Sequence, residues 1–147
     1  MKLSNNFSLE ELTASQTALR EGIPNTPDKN DLAALTALVE NLLQPLRDKL
    51  GKGIRITSGY RSPLLNRTIG STAKASQHMK GEAADIVVSG MTSYDLTQFI
   101  IDSGLEFDQL IYEGTWVHIS YSTKHNRKQV LTAIFDNGVR YINGLHK

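Results

Sequence analysis

Ser76-Gln77-His78-Met79-Lys80-Gly81-Glu82-Ala83-Ala84-Asp85 sets a histidine before an apolar run and a carboxylate inside it, with Gly81 supplying the turn between them. The run continues as Ile86-Val87-Val88, so Ala83 to Val88 reads as a β-strand that ends near Ser89-Gly90. A carboxylate in so apolar a segment needs a metal or an arginine beside it, because burying an unpaired charge is costly. Downstream, Trp116-Val117-His118-Ile119-Ser120 holds a second histidine in another short strand. His118 alternates with Val117 and Ile119; if those two face the core, the imidazole faces an open surface or a cleft. Two imidazoles and one carboxylate are a common ligand set for catalytic zinc, which leaves a fourth position to water and lowers that water's pKa toward ~7. The same trio binds iron(II) in non-haem oxygenases. Those enzymes usually separate the first histidine and the acid by one residue, whereas six stand between His78 and Asp85, and the chain is short for a jelly roll.

Working outward, Ser8-Leu9-Glu10-Glu11-Leu12 reads as a short helix with a capping box, and Ile23 to Pro27 as a loop. A long core helix begins between Asp28 and Asp31: Leu32, Leu35, Leu38, Val39, Leu42, Leu46 and Leu50 recur at helical spacing. Pro45 inside it predicts a kink or a split, and Gly51 and Gly53 end it. Ile54 to Ser58 reads as a strand, Arg61 to Thr68 as a short helix, and Ile69 to Gln77 as a loop. Thr92 to Ser103 is a helix stopped by Gly104. Gln109 to Tyr112 and Trp116 to Tyr121 are strands around Gly114. Val130 to Phe135 and Val139 to Ile142 form a hairpin across Asp136-Asn137-Gly138. Helices that precede and interrupt an antiparallel set of strands define an α+β class, a small sheet with helices on one side.

Composition narrows the function. The 147 residues suit one domain, 1–147, able to bury a core unaided. A 39% hydrophobic and 21% charged content excludes a disordered chain. A net charge of +1, with the basic residues dispersed, argues against nucleic acid as partner. With no cysteine there is no disulfide, thiolate site or cysteine nucleophile, so any metal must use His, Asp or Glu. No run approaches the ~18 apolar residues of a membrane span. The start, Met1 to Phe7, has no apolar core of a secretory signal, so synthesis in the cytoplasm is expected.

The pattern S-x-H-x-x-G-x-A-x-D, matched here at every fixed position and followed by W-x-H, resembles the M15-type zinc peptidases of the D-alanyl-D-alanine carboxypeptidase, dipeptidase and endopeptidase class. It is most similar to their small phage and prophage members, endolysins among them. Phe7 to Ser15, Ile56 to Ser62 and Phe107 to Ile111 also look like members of this group. The resemblance implies the hedgehog/DD-peptidase scaffold, Zn2+ held by His78, Asp85 and His118, and a monomer that acts on peptidoglycan stem peptides. It implies work on the cell wall after holin-type release, or as part of a phage particle. Arg61 matches the arginine expected near the scissile carbonyl, and Ser76 the motif serine, which binds substrate or orients its loop.

A general base is also required, to take a proton from water and pass it to the leaving amine. Many relatives carry an acid three residues before the second histidine, where this chain has Thr115. Glu113 is the candidate base, with Asp108 and Glu82 as fallbacks. Trp116 lines the cleft or packs under the histidine strand; Tyr60 and Tyr121 are weaker substrate candidates. His125, His146, Lys124, Arg127 and Lys128 read as solvated. The competing expectation is a non-catalytic phage structural or wall-binding protein that keeps the zinc-site fold without a working base.

Overall fold

The computed structural model describes residues 1–70 and 76–147. The first helices are short and locally capped. Ser8 caps α1 (Leu9–Thr13) through the expected capping box. Ser15 caps α2 (Gln16–Glu21), and Gly22 ends it in the left-handed conformation. The sequence reading missed α2 because only its Ala18 is buried, which leaves no apolar stripe to detect.

The long core helix is continuous but changes its winding partway. α3 (Lys29–Leu38) runs into a π-helical turn, Val39–Leu43, and then into α4 (Gln44–Leu50). Pro45 has no N–H, and its ring crowds the carbonyl four residues back. The wider turn just before it, where the Gln44 N–H donates to the Val39 carbonyl, absorbs that conflict without breaking the rod. Leu35, Leu38, Val39, Leu42, Leu43 and Leu46 are all fully buried along it. Each such side chain contributes about 1.5–3 kcal/mol of transfer free energy before conformational entropy is subtracted.

These leucines pack on one face of a six-stranded sheet. The strands are β1 (Arg55–Ser58), β2 (Ala83–Val87), β3 (Gln109–Tyr112), β4 (Val117–Ser120), β5 (Gln129–Phe135) and β6 (Val139–Asn143), in the order β1-β2-β4-β3-β5-β6. Ala84, Ile86, Leu110, Val117 and Ile119 form the sheet's half of the core, with Leu96 and Ile100 of α6 (Ser93–Asp102).

Three details differ from the sequence reading. The sheet is not wholly antiparallel: β5 runs parallel to β3. Both sides of β4 are taken, by β2 and β3, and the chain leaves β4 beside the start of β3. A short connection therefore lays β5 along the start of β3, in the same direction. Arg61 precedes rather than opens the next helix; Ser62 caps α5 (Pro63–Thr68), and Pro63 suits its first turn. Much of the loop expected from Ile69 to Gln77 lies outside the described residues, and Gln77 opens a 3-10 turn, Gln77–Lys80. Among the described residues, no helix is long and apolar enough to cross a membrane.

Candidate metal centre

Strand register brings the distant motif residues together. Asp85 on β2 is paired with His118 on β4, and His118 with Ile111 on β3. Their neighbours Ala84, Ile86, Val117 and Ile119 are buried in the core. Period-2 alternation therefore sends Asp85 and His118 to the opposite, cleft-facing side. His78 arrives from the 3-10 turn. Ser76 caps that turn, its hydroxyl accepting from the His78 N–H at 3.2 Å. Gly81 closes the turn at φ 73°, where an added Cβ would lie 2.3 Å from the Asp31 carbonyl oxygen. Gly59 is fixed in the same way: a Cβ there would meet the Leu12 carbonyl oxygen at 2.2 Å. These two close approaches seat the turn against α1 and α3 and set the height of His78 above the sheet.

His78 is 3% exposed. Its Nδ1 lies 2.8 Å from the Gly59 carbonyl, which can only accept, so Nδ1 carries the proton. Nε2 then presents a lone pair to Asp85 Oδ1 at 3.4 Å. His118 Nδ1 lies 3.1 Å from the same oxygen. An imidazole lone pair set against a carboxylate oxygen calls for a cation or an added proton between them. A tetrahedral ion with ligands at 2.0–2.1 Å holds those ligands about 3.3 Å apart. One donor atom from each of the three residues falls within 4.8 Å of the others. The donor set and its spacing thus fit a zinc-sized ion, and the Gly59 carbonyl orients His78 as second-sphere partners of metal-ligating histidines do. Burial pushes the Asp85 carboxyl up, but hydrogen bonds and charge from His118 and His78 outweigh it and hold the group well below the usual carboxylate range.

The trio sits in a cleft of about 960 Å³ that is also lined by Arg61, Ser76, Glu113 and Trp116. Glu113 follows β3, and its Oε2 accepts from Trp116 Nε1 at 2.9 Å, so the indole both lines the cleft and aims the carboxylate. Burial, then the Asp85 charge, raises the Glu113 carboxyl; His118, Trp116 and Arg61 only partly oppose this. Arg61 is tied by its backbone N–H to the His78 carbonyl at 3.1 Å. Burial pushes its guanidinium down, and Asp85 and Glu113 offset part of the change. Arg61 Nε is buried without a hydrogen-bond partner among the described residues.

The sequence profile of the Peptidase M15 family matches residues 5–120, which contain the metal trio, Arg61 and Glu113. The chain belongs to the Peptidase M15 family. No significant match was found among curated proteins. Membership makes the chain a peptidase of a typically zinc-dependent class, and the His78–Asp85–His118 group is the place where this M15 domain can hold such an ion.

Other features of this M15 domain were not anticipated. Asp108 lines the cleft, but both its oxygens are engaged: Arg127 Nε and Nη2 each donate at 2.9 Å, and Gln77 Nε2 at 3.0 Å. The Arg127 hydrogen bond outweighs burial, which pushes the group up, and with the Arg127 charge and Gln77 it holds the Asp108 carboxyl below its ordinary value. Arg127 thus anchors the loop before β5 to the strand region beside the His78 turn instead of standing free. Glu82, the other fallback base, also lines the cleft, 3.4 Å from Gln77 Nε2. Tyr60 is buried in the core, and Tyr121 packs partly against it; neither lines this cleft. His125 is exposed yet lines the rim, and His146 is exposed near the chain's last residues. Tyr141 on β6 lines the cleft and was not anticipated; its signal was only the alternation of a strand called for its turn.

Proposed function

We propose that this chain is a zinc peptidase that hydrolyses amide bonds in peptidoglycan stem peptides. The observation that carries this reading is the convergence of a carboxylate, Glu113, and a guanidinium, Arg61, with the His–Asp–His trio in one cleft. Zinc bound there supplies Lewis acidity and an activated water at neutral pH.

The protein's own residues account for the rest of the reaction. Glu113, held by Trp116, accepts the proton of the attacking water and delivers it to the leaving amine. Its raised carboxyl suits that shuttle, because a base with a pKa nearer neutrality returns the proton more readily. Arg61 lines the cleft, where its guanidinium faces the negative charge that develops on the carbonyl oxygen, or holds a substrate carboxylate. Ser76 serves the site through the turn that it caps. The presence of Glu113 beside the trio supports catalysis over a binding-only role, although Thr115 stands where relatives often have their acid.

The test is digestion of purified peptidoglycan by the zinc-loaded protein, followed by mass spectrometry of the muropeptides. A new pair of amine and carboxyl ends is expected, and its mass identifies the bond cut. An unchanged muropeptide profile would remove the peptidase assignment for this substrate.

A further inference from the structure

The matched segment ends at residue 120, but the cleft does not. Leu131 of β5 pairs with Ile111 of β3, in register with the row that holds His118 and Asp85. Two residues on, Glu113 falls level with Ala133, and Ala133 pairs with Tyr141. Alternation therefore puts Glu113, Ala133 and Tyr141 on the cleft side in one line. Ala133 itself is buried, while Glu113 and Tyr141 on either side of it line the cleft. Beyond this line Phe135 pairs with Val139 on the same side; Phe135 is 57% exposed, and Val139 and Tyr141 are each 51% exposed. The hairpin thus extends the floor of the cleft as a half-open apolar shelf, at the opposite edge of the sheet from Arg61.

We propose that Tyr141 is a specificity-determining residue of this cleft, contacting a peptide substrate several residues away from the metal trio. The proposal rests on the peptidase reading above. Three inter-strand spacings of roughly 4.8 Å separate β4 from β6, about 14 Å along the sheet. An extended peptide advances about 3.5 Å per residue, so a dipeptide spans only ~7 Å and a chain of about four residues is needed to reach across. The ring offers an apolar face to the substrate and the phenol a donor to its backbone carbonyls. Partial burial, with the charges of Glu113 and Asp85, raises the phenol further and keeps that donor protonated. An apolar shelf at one end and Arg61 at the other also give the cleft a polarity along which a stem peptide has a preferred direction.

The chain's one tryptophan, Trp116, lines the cleft, so its fluorescence reports binding without turnover. Zinc-loaded Glu113→Gln protein, with Tyr141 intact or replaced, would be titrated with a stem pentapeptide and with the dipeptide D-Ala-D-Ala. Tyr141→Ala is expected to weaken the pentapeptide about tenfold and leave the dipeptide unchanged. Tyr141→Thr, a good strand former without the ring, should show the same loss, which separates the contact from any loosening of β6. Unchanged pentapeptide affinity in Tyr141→Thr, or equal weakening of both ligands, overturns the proposal and leaves the peptidase reading standing. If the protein with Tyr141 intact binds neither ligand, the peptidase reading falls and this subsite falls with it.

Discussion

On one face of β2 and β4, Ala84, Ile86, Val117 and Ile119 are buried against the leucines of α3 and α4. On the other, Asp85 and His118, the residues between them in sequence, look into the cleft beside Glu113 and Arg61. Neighbours in the chain thus do opposite work. The core face is held by non-directional burial, which tolerates exchange among apolar side chains of similar volume. The cleft face is held by directional contacts to single atoms: Gly59 oxygen to His78, Trp116 nitrogen to Glu113. Because a strand repeats every two residues, one short segment can carry both, and substitutions on the two faces should fail in different ways.

The sharpest test of that contrast is Asp85→Ala. Peptidase activity should fall by about a thousandfold or more, since the metal's charge stabilisation is worth several kcal/mol and each 1.36 kcal/mol is tenfold. Bound zinc, read by atomic emission, should fall with it, while the circular dichroism spectrum stays that of the wild type. Full zinc occupancy with full activity would break the assignment of the cleft face. Next, Glu113→Gln should lower kcat by roughly 10²–10⁴-fold at unchanged zinc content. A loss confined to KM would mean that the carboxylate binds substrate instead of moving a proton.

The mirror-image experiment changes the other face. Ile119→Ala, adjacent to His118 but in the core, should lower unfolding free energy by about 2–5 kcal/mol in a urea titration. The folded fraction should keep kcat within a few-fold. A collapse of kcat in fully folded protein would show that the two faces are coupled after all.

The smallest effect concerns the protonation of Glu113. Burial raises its folded pKa above the ordinary glutamate value, so the folded chain binds more protons than the unfolded chain between those two values. The associated stability is fully present below the ordinary value and is lost as pH rises through the raised one. Metal-free Glu113→Gln should therefore melt slightly higher than metal-free wild type at about pH 7, with the difference closing toward about pH 4. A difference that does not change with pH would trace to the amide's packing instead.

Local signals carried much of the fold. Ser8 with Glu11, the leucines of α3 and α4, Gly51 and the Asp136-Asn137-Gly138 turn each act within a few residues, and their elements appear where that chemistry places them. Where local signals were thin, the reading slipped. α2 buries too little to show a stripe, and Ser62 with Pro63, not Arg61, begins α5. The site divides similarly. His78, Asp85 and His118 stand out because histidines and a carboxylate are conspicuous in apolar segments. The engagement of Asp108 by Arg127, and Tyr141 across from Glu113, left no such mark.

Sequence alone determined the α+β class, the alternation that turns Asp85 and His118 away from the core, and the donor types that allow a metal without thiolates. Those are properties of single residues and of short-range periodicity. Tertiary structure alone decided that β5 lies parallel to β3, that Gly59 orients His78, and that a hairpin beyond the family match supplies the far end of the cleft. Those outcomes depend on which strand edges remain free, and on close approaches such as Leu12 to Gly59, between segments far apart in the chain. Pairing energy at a free edge is won only after the chain has closed on itself, so no local pattern encodes it.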